Sequence, residues 1–202
     1  MSVNWKVGCI VHQDNQELKA FLVKDKAVML LSLSPLNWQW RLTFMGTPFQ
    51  GYEGFYSQEG SGEMACAADP VAGFIVLLRR VDGQPQGLLF TKETKDWTML
   101  AMDAKAILSP VNTSFWPVKD GNSTTFMYGS INANSNRIEF GSLKNRLTLT
   151  PAPNSWALDP DTWGDVVSLT YAGGYLSMTQ ERGTICLSRK SPRTHSDERF
   201  KR

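Results

Sequence analysis

Residues 74–97 read FIVLLRRVDGQPQGLLFTKETKDW. Two apolar runs, Phe74–Arg79 and Gly87–Thr91, flank Val81-Asp-Gly-Gln-Pro-Gln-Gly87, and a tryptophan follows. Asp-Gly, Pro and Gly between two short apolar runs are the chemistry of a hairpin turn. The runs themselves have strand length and a strand pattern.

The same pattern recurs. Leu31-Ser-Leu33-Ser34 is followed after five residues by Trp40, Leu88-Leu-Phe90-Thr91 by Trp97, and Leu147-Thr-Leu149-Thr150 by Trp156. The motif is Leu-x-Leu/Phe-Ser/Thr-x5-Trp, with spacings of 57 and 59 residues. Upstream, Val7-Gly-Cys9-Ile-Val lies 57 residues before Met64-Ala-Cys66-Ala-Ala. A second apolar run sits between these anchors in each copy: Phe21–Val23, Phe74–Leu78 and Ile138–Phe140. A fourth, degenerate copy holds Val166–Tyr171, Tyr175–Met178 and Ile185–Ser188, with no tryptophan after it. Further strand-like runs are Lys19–Val23, Ala27–Leu33, Thr125–Gly129, Arg137–Phe140 and Thr184–Ser188. Gln16–Leu33 alone would pass as a helix, but its counterpart Pro70–Phe90 carries an Asp-Gly and two prolines, so the strand reading prevails. Met102–Leu108 has room for a helical turn or two.

Repeated antiparallel units of this size predict an all-β chain, a four-unit repeat of the small β-propeller type. A β-sandwich or jelly roll is the alternative. The units fall at about 1–46, 60–102, 110–158 and 163–188, in one domain spanning 1–188. Residues 189–202 form a basic tail. Residues 74–97 resemble the repeats of small lectin-type propellers of the tachylectin and tectonin kind, which show a strand, an Asp-Gly turn, a second strand and a Trp. Copy one departs from this with Lys24-Asp-Lys26, and copy three with Ser142-Leu-Lys-Asn145. No sugar-binding residue carries over through the resemblance.

The 202 residues are 42% hydrophobic and 20% charged, enough for a substantial core, and the net charge is +2. A disordered chain and a globally basic nucleic-acid binder are both excluded. The tail carries six of the 21 Lys/Arg and two of the 19 Asp/Glu, so the body is slightly acidic. Arg189, Lys190, Arg193, Arg199, Lys201 and Arg202 are the candidates for a nucleic acid or an acidic partner, and nucleic acid is expected there only. The simpler reading of that tail is a solvated terminus.

Trp40, Trp97 and Trp156 are the candidate ligand-binding residues, since an indole face stacks on sugar C–H surfaces. The competing reading makes them locks between neighbouring units. Asp159–Asp165 has alternating acids and Gly164, as in a calcium loop, but Trp163 and Thr170 occupy positions where such a loop needs oxygen ligands. A polar turn is expected there. His12 and His195 are the only histidines, and HExxH, GxSxG and P-loop motifs are all missing. No metal, cofactor or catalytic residue is expected.

Cys9, Cys66 and Cys186 are odd in number and far apart, which predicts free buried thiols. There is no signal-peptide pattern and no apolar run long enough to cross a membrane, so an intracellular protein, cytoplasmic or nuclear, is expected. The function expected is a non-catalytic binding module for a protein partner or glycan, with oligomers allowed. One alternative is a viral or phage structural or assembly protein, to which the long loop Thr47–Glu63 and the basic tail would suit. The other is a hydrolase using loop carboxylates.

Overall fold

A computed structural model describes residues 6–12, 18–24, 26–34, 36–52, 64–132, 134–157, 164, 166–172 and 175–187. The chain is all-β: the described residues contain strands and turns and no helix. It divides into two compact units, Met1–Leu158 and Asp159–Arg202.

In the first unit, β1 (Lys6–His12), β2 (Leu18–Lys24), β3 (Ala27–Ser34) and β4 (Gln39–Gly46) form an antiparallel meander. A second meander follows: β5 (Met64–Asp69), β6 (Gly73–Arg79), β7 (Pro85–Phe90) and β8 (Trp97–Met102). The third is β9 (Thr113–Asp120), β10 (Ser123–Asn132), β11 (Arg137–Lys144) and β12 (Thr148–Ala157). A short parallel pairing of β8 with β12 joins the last two into one eight-stranded sheet. Its end strands β5 and β9 lie against each other, so the sheet nearly closes, like a barrel.

The expected hairpin forms at Val81–Gly87. The Arg80 amide donates to the Gln84 carbonyl at 2.8 Å, Asp82 Oδ1 accepts from the Gln84 amide, and Gly83 takes a φ of 80°. That left-handed φ is why the Asp-Gly pair stands there. Pro85 opens β7, and Pro117 lies on the end strand β9, places where a missing N–H does least harm to the ladder.

Two buried clusters organise this unit. Ile75, Leu77, Leu89 and Leu100 of the second meander meet Phe115, Phe126, Tyr128 and Leu149 of the third. Phe74, Val76, Leu78 and Leu88 meet Phe21, Val23 and Val28 of the first. Phe21 and Phe74 stack at a centroid distance of 3.6 Å and an angle of 2°. Strand β6 therefore buries both faces, which explains its unbroken apolar run: alternate residues serve alternate cores.

The second unit contains β13 (Val166–Ala172), β14 (Tyr175–Gln180) and β15 (Gly183–Leu187), a three-stranded antiparallel sheet. Buried Gln180 donates through Nε2 to the Gly164 carbonyl at 2.9 Å.

Three expectations need correction. Met102–Leu108 is not helical. Beyond β8 the chain makes a turn in which Asp103 Oδ1 accepts from the Lys105 amide, a local bond that competes with helix. The third copy of the tryptophan motif is out of step with the sheets. Leu33 and Trp40, like Leu88 and Trp97, lie on adjacent strands, whereas Leu149 and Trp156 both lie on β12. Finally, Cys66 is disulfide-bonded, so the three cysteines are not all free thiols. Widely separated cysteines carry no spacing signal that pairs them; strand packing does that.

Candidate functional site

The loop from β7 to β8 is closed by its own side chains. Thr91 Oγ1 and Thr94 Oγ1 lie 2.8 Å apart, and Asp96 Oδ1 accepts from the Trp97 amide. This sets Trp97 at the head of β8, half-buried, with its indole Nε1 donating to the Met45 carbonyl at 2.7 Å. Phe74, Phe90 and Phe49 surround the ring at centroid distances of 5.4, 5.4 and 6.1 Å. Trp97 thus couples the end of β4 to the second meander.

The first meander presents a different surface. In β3, Val28 and Leu30 turn toward the shared core. Met29, Leu31 and Leu33 point to the opposite face, because side chains alternate along a strand. Their cross-strand partners are Phe44, Leu42 and Trp40. These three are 60%, 58% and 58% exposed. Leu36 and Trp38, in the turn before β4, are more exposed still. That turn is held by Asn37, whose Oδ1 accepts from the Gln39 amide, and Trp38 adopts a φ of 53°. Large apolar side chains are thus exposed along this edge of the first meander.

The carboxylates are engaged differently. Asp69 Oδ1 accepts from the Val71 and Ala72 amides, and Asp82, Asp96 and Asp103 each cap a turn in the same way. Glu93 pairs with Arg146 at 3.1 Å, and Glu139 accepts from Asn132. Among the described residues, no group of three or more His, Cys, Asp or Glu is placed to hold a metal ion. Burial pushes the Tyr52 phenol above its ordinary range, partly opposed by Arg80. Tyr128 is pushed up much further, by burial first and then by the nearby charges of Glu139 and Asp103. Neither phenol is ready to ionise near neutral pH. No described helix is long and apolar enough to cross a membrane.

The candidate tryptophans therefore occupy unlike places. Trp40 stands on the exposed face, and Trp97 sits in the seam between two meanders. Trp156 pairs with Ile138 in the ladder, and its side chain lies outside the described residues. The tail positions Arg189, Lys190, Arg193, Arg199, Lys201 and Arg202, and the loop at Asp159, also lie outside them. Sequence reading singled out Trp40 but missed Leu42 and Phe44. The signal was present in Leu36-x-Trp38-x-Trp40-x-Leu42-x-Phe44, large apolar residues at every second position.

No protein-family model matches the chain, and no curated protein matches it. Solved structures do. The crystal structure of AofleA from Arthrobotrys oligospora is similar with a TM-score of 0.53 at 10% identity, over 84% of this chain and 50% of that one. A variant of AofleA with three arginines replaced by alanine is similar with a TM-score of 0.53 at 8% identity, over 90% and 52%. The likeness is one of fold, and the chain spans about half the length of the structures it matches.

Proposed function

We propose that the protein is a non-catalytic interaction module, built as a small propeller-like stack of sheets, that binds through the outer face of its first meander. The observation that carries this is the alignment of Trp40, Leu42 and Phe44 beside Met29, Leu31 and Leu33 on one face. Three apolar cross-strand pairs suit apolar contact rather than acid–base chemistry. Among the described acids, Asp69, Asp82, Asp96 and Asp103 are each engaged in a turn.

A protein partner fits the face better than a sugar. A glycan needs hydrogen-bonding groups beside the stacking ring, and the three cross-strand pairs offer only the Trp40 indole N–H. The glycan reading keeps support from the exposed Trp38 and Trp40 rings and from the resemblance of residues 74–97 to lectin-type propeller repeats. The Cys66 disulfide favours an oxidising compartment over the cytoplasmic or nuclear one that free thiols suggested.

Glycan-array binding and protein capture, each compared between the wild type and Trp40→Ala, test the proposal. Loss of a specific ligand with Trp40→Ala, with Trp97→Phe retaining it, is the expected result. A ligand held equally by Trp40→Ala and by a Leu42→Lys, Phe44→Lys double variant would place binding elsewhere and refute the reading.

A further inference from the structure

We infer that Asn122 is an N-glycosylation site, its side-chain amide carrying an oligosaccharide in the protein as its host makes it. This goes beyond the interaction-module reading. It rests only on the oxidising compartment that the Cys66 disulfide favours.

Asn-x-Ser/Thr, with any residue but proline at x, is the acceptor motif for this modification, and it has meaning in a chain that passes through a secretory compartment. The sequence holds the motif twice, as Asn112-Thr-Ser114 and Asn122-Ser-Thr124. A disulfide at Cys66 forms in the same class of compartment, so the bond and the motif point the same way.

The fold treats the two motifs differently. Gly121 and Asn122 are the turn of the β9–β10 hairpin, closed by the pairing of Asp120 with Ser123. Gly121 takes a left-handed φ of 61°, which lets the chain reverse within two residues. Asn122 is exposed, and a methyl group added to Gly121 beside it would meet no atom within 4 Å. The tip of this hairpin therefore opens on solvent, and a bulky hydrated chain of sugars stands there without disturbing packing or the strand ladder. Asn112 is half-buried instead. Its amide donates to the Ser109 carbonyl at 3.0 Å, and its carbonyl accepts from the Ile131 amide at 2.9 Å. Buried Thr113 beside it donates through Oγ1 to the same Ser109 carbonyl at 2.7 Å. The sugar thus belongs on Asn122 rather than Asn112. Thr124 is buried in the finished sheet, so the motif is read before β10 is laid down, and the fold has only to leave room for the product.

The donor is an oligosaccharide carried on a polyprenyl diphosphate. A bond forms between Asn122 Nδ2 and C1 of the first sugar, and the bond from C1 to the diphosphate oxygen breaks. The diphosphate leaves with the bonding pair, and one amide proton passes to a base of the transferase. Nothing is oxidised or reduced.

Protein purified from its natural host and mapped by mass spectrometry after trypsin tests this. The peptide of residues 120–137, freed by cuts after Lys119 and Arg137, is expected to carry sugar, and the intact chain to be heavier than 22.6 kDa. Peptide-N-glycosidase should release the sugar and leave aspartate at position 122. Asn122→Gln and Thr124→Val, made in the same host, should each abolish the modification. Thr124→Val keeps the asparagine and the β-branched shape of a buried residue, so its effect reports the motif itself. A bare 120–137 peptide overturns the inference. So does a glycan on Asn112 alone, or one that persists in Thr124→Val. The same digest run without reductant reports on Cys66. Cys66 bonded with Asn122 bare discards the glycan and keeps the oxidising compartment; Cys66 reduced with Asn122 bare discards both. The Trp40 face is untouched by either result, since the Trp40→Ala comparison tests it separately.

Discussion

The indole N–H of Trp97 donates to the carbonyl of Met45 at 2.7 Å, across 52 residues of chain. Met45 lies at the irregularity where β4 pairing with β3 shifts between Val28 and Met29. A bulge there leaves a carbonyl outside the ladder, and the first residue of β8 takes it up. One side chain therefore joins two meanders by a hydrogen bond and by ring contacts with Phe49, Phe74 and Phe90.

Trp97→Phe keeps most of the apolar contact and leaves the Met45 carbonyl without its donor. The expected loss is about 1–2 kcal/mol. Trp97→Ala also opens a cavity between the meanders, and about 3 kcal/mol is expected. Denaturant unfolding measures both. If Trp97→Ala costs no more than Trp97→Phe, the ring is not filling the seam.

The disulfide at Cys66 predicts one free thiol among the three cysteines of the unfolded, non-reduced chain. Thiol titration in denaturant checks that count. Reduction should lower the unfolding free energy by about 2–4 kcal/mol. Three titratable thiols before reduction would refute the bond.

Much of this fold was readable. Short apolar runs between turn residues located β2, β3, β6, β7, β10, β11 and β13, and Asp82-Gly83 marked its hairpin. The third meander was misframed for a local reason. The turn between β11 and β12 uses Asn145 and Arg146 at φ values of 51° and 57°, left-handed positions that usually call for glycine. Without glycine the turn was invisible, and Leu147–Thr150 looked like a third strand when it opens the fourth. The surface was half legible. Trp40 was visible as a ring at a repeat position, but its exposure depends on β4 lying at a sheet edge, which is a tertiary fact.

Gly141 is the tightest point of the third meander. A methyl group there would overlap the Tyr128 ring and the Thr150 carbonyl. The carbonyl belongs to the adjacent β12 ladder and cannot swing away as a side-chain tip can. Gly141→Ala should therefore cost about 3 kcal/mol, at the upper end of overpacking effects. Gly51→Ala makes a useful contrast. Unlike Gly141 it has a positive φ, of 81°, but it meets no atom within 4 Å, so its cost should be about 1 kcal/mol. Equal costs at the two sites would mean that the crowding at Gly141 is relieved by a shift of its neighbours.

Tyr128 is the counterpart of that crowding. It is 1% exposed, and its hydroxyl is buried without a hydrogen-bond partner. An unpaired buried hydroxyl carries a desolvation penalty that a hydrogen atom in its place does not. Tyr128→Phe should therefore stabilise the fold, by about 1 kcal/mol. The pH dependence has a definite sign. The folded-state phenol titrates well above its ordinary value of 10.0, chiefly through burial. Below pH 10 the phenol is protonated in both states and contributes no pH dependence. Above it the unfolded chain releases the proton and the folded chain keeps it, so stability falls with rising pH. The slope approaches about 1.4 kcal/mol per pH unit until the folded phenol also ionises. Unfolding free energies of the wild type and Tyr128→Phe should run parallel from pH 6 to 9 and diverge above about pH 10, with the variant losing less. Parallel curves through pH 11 would show that Tyr128 gains water or a partner in solution.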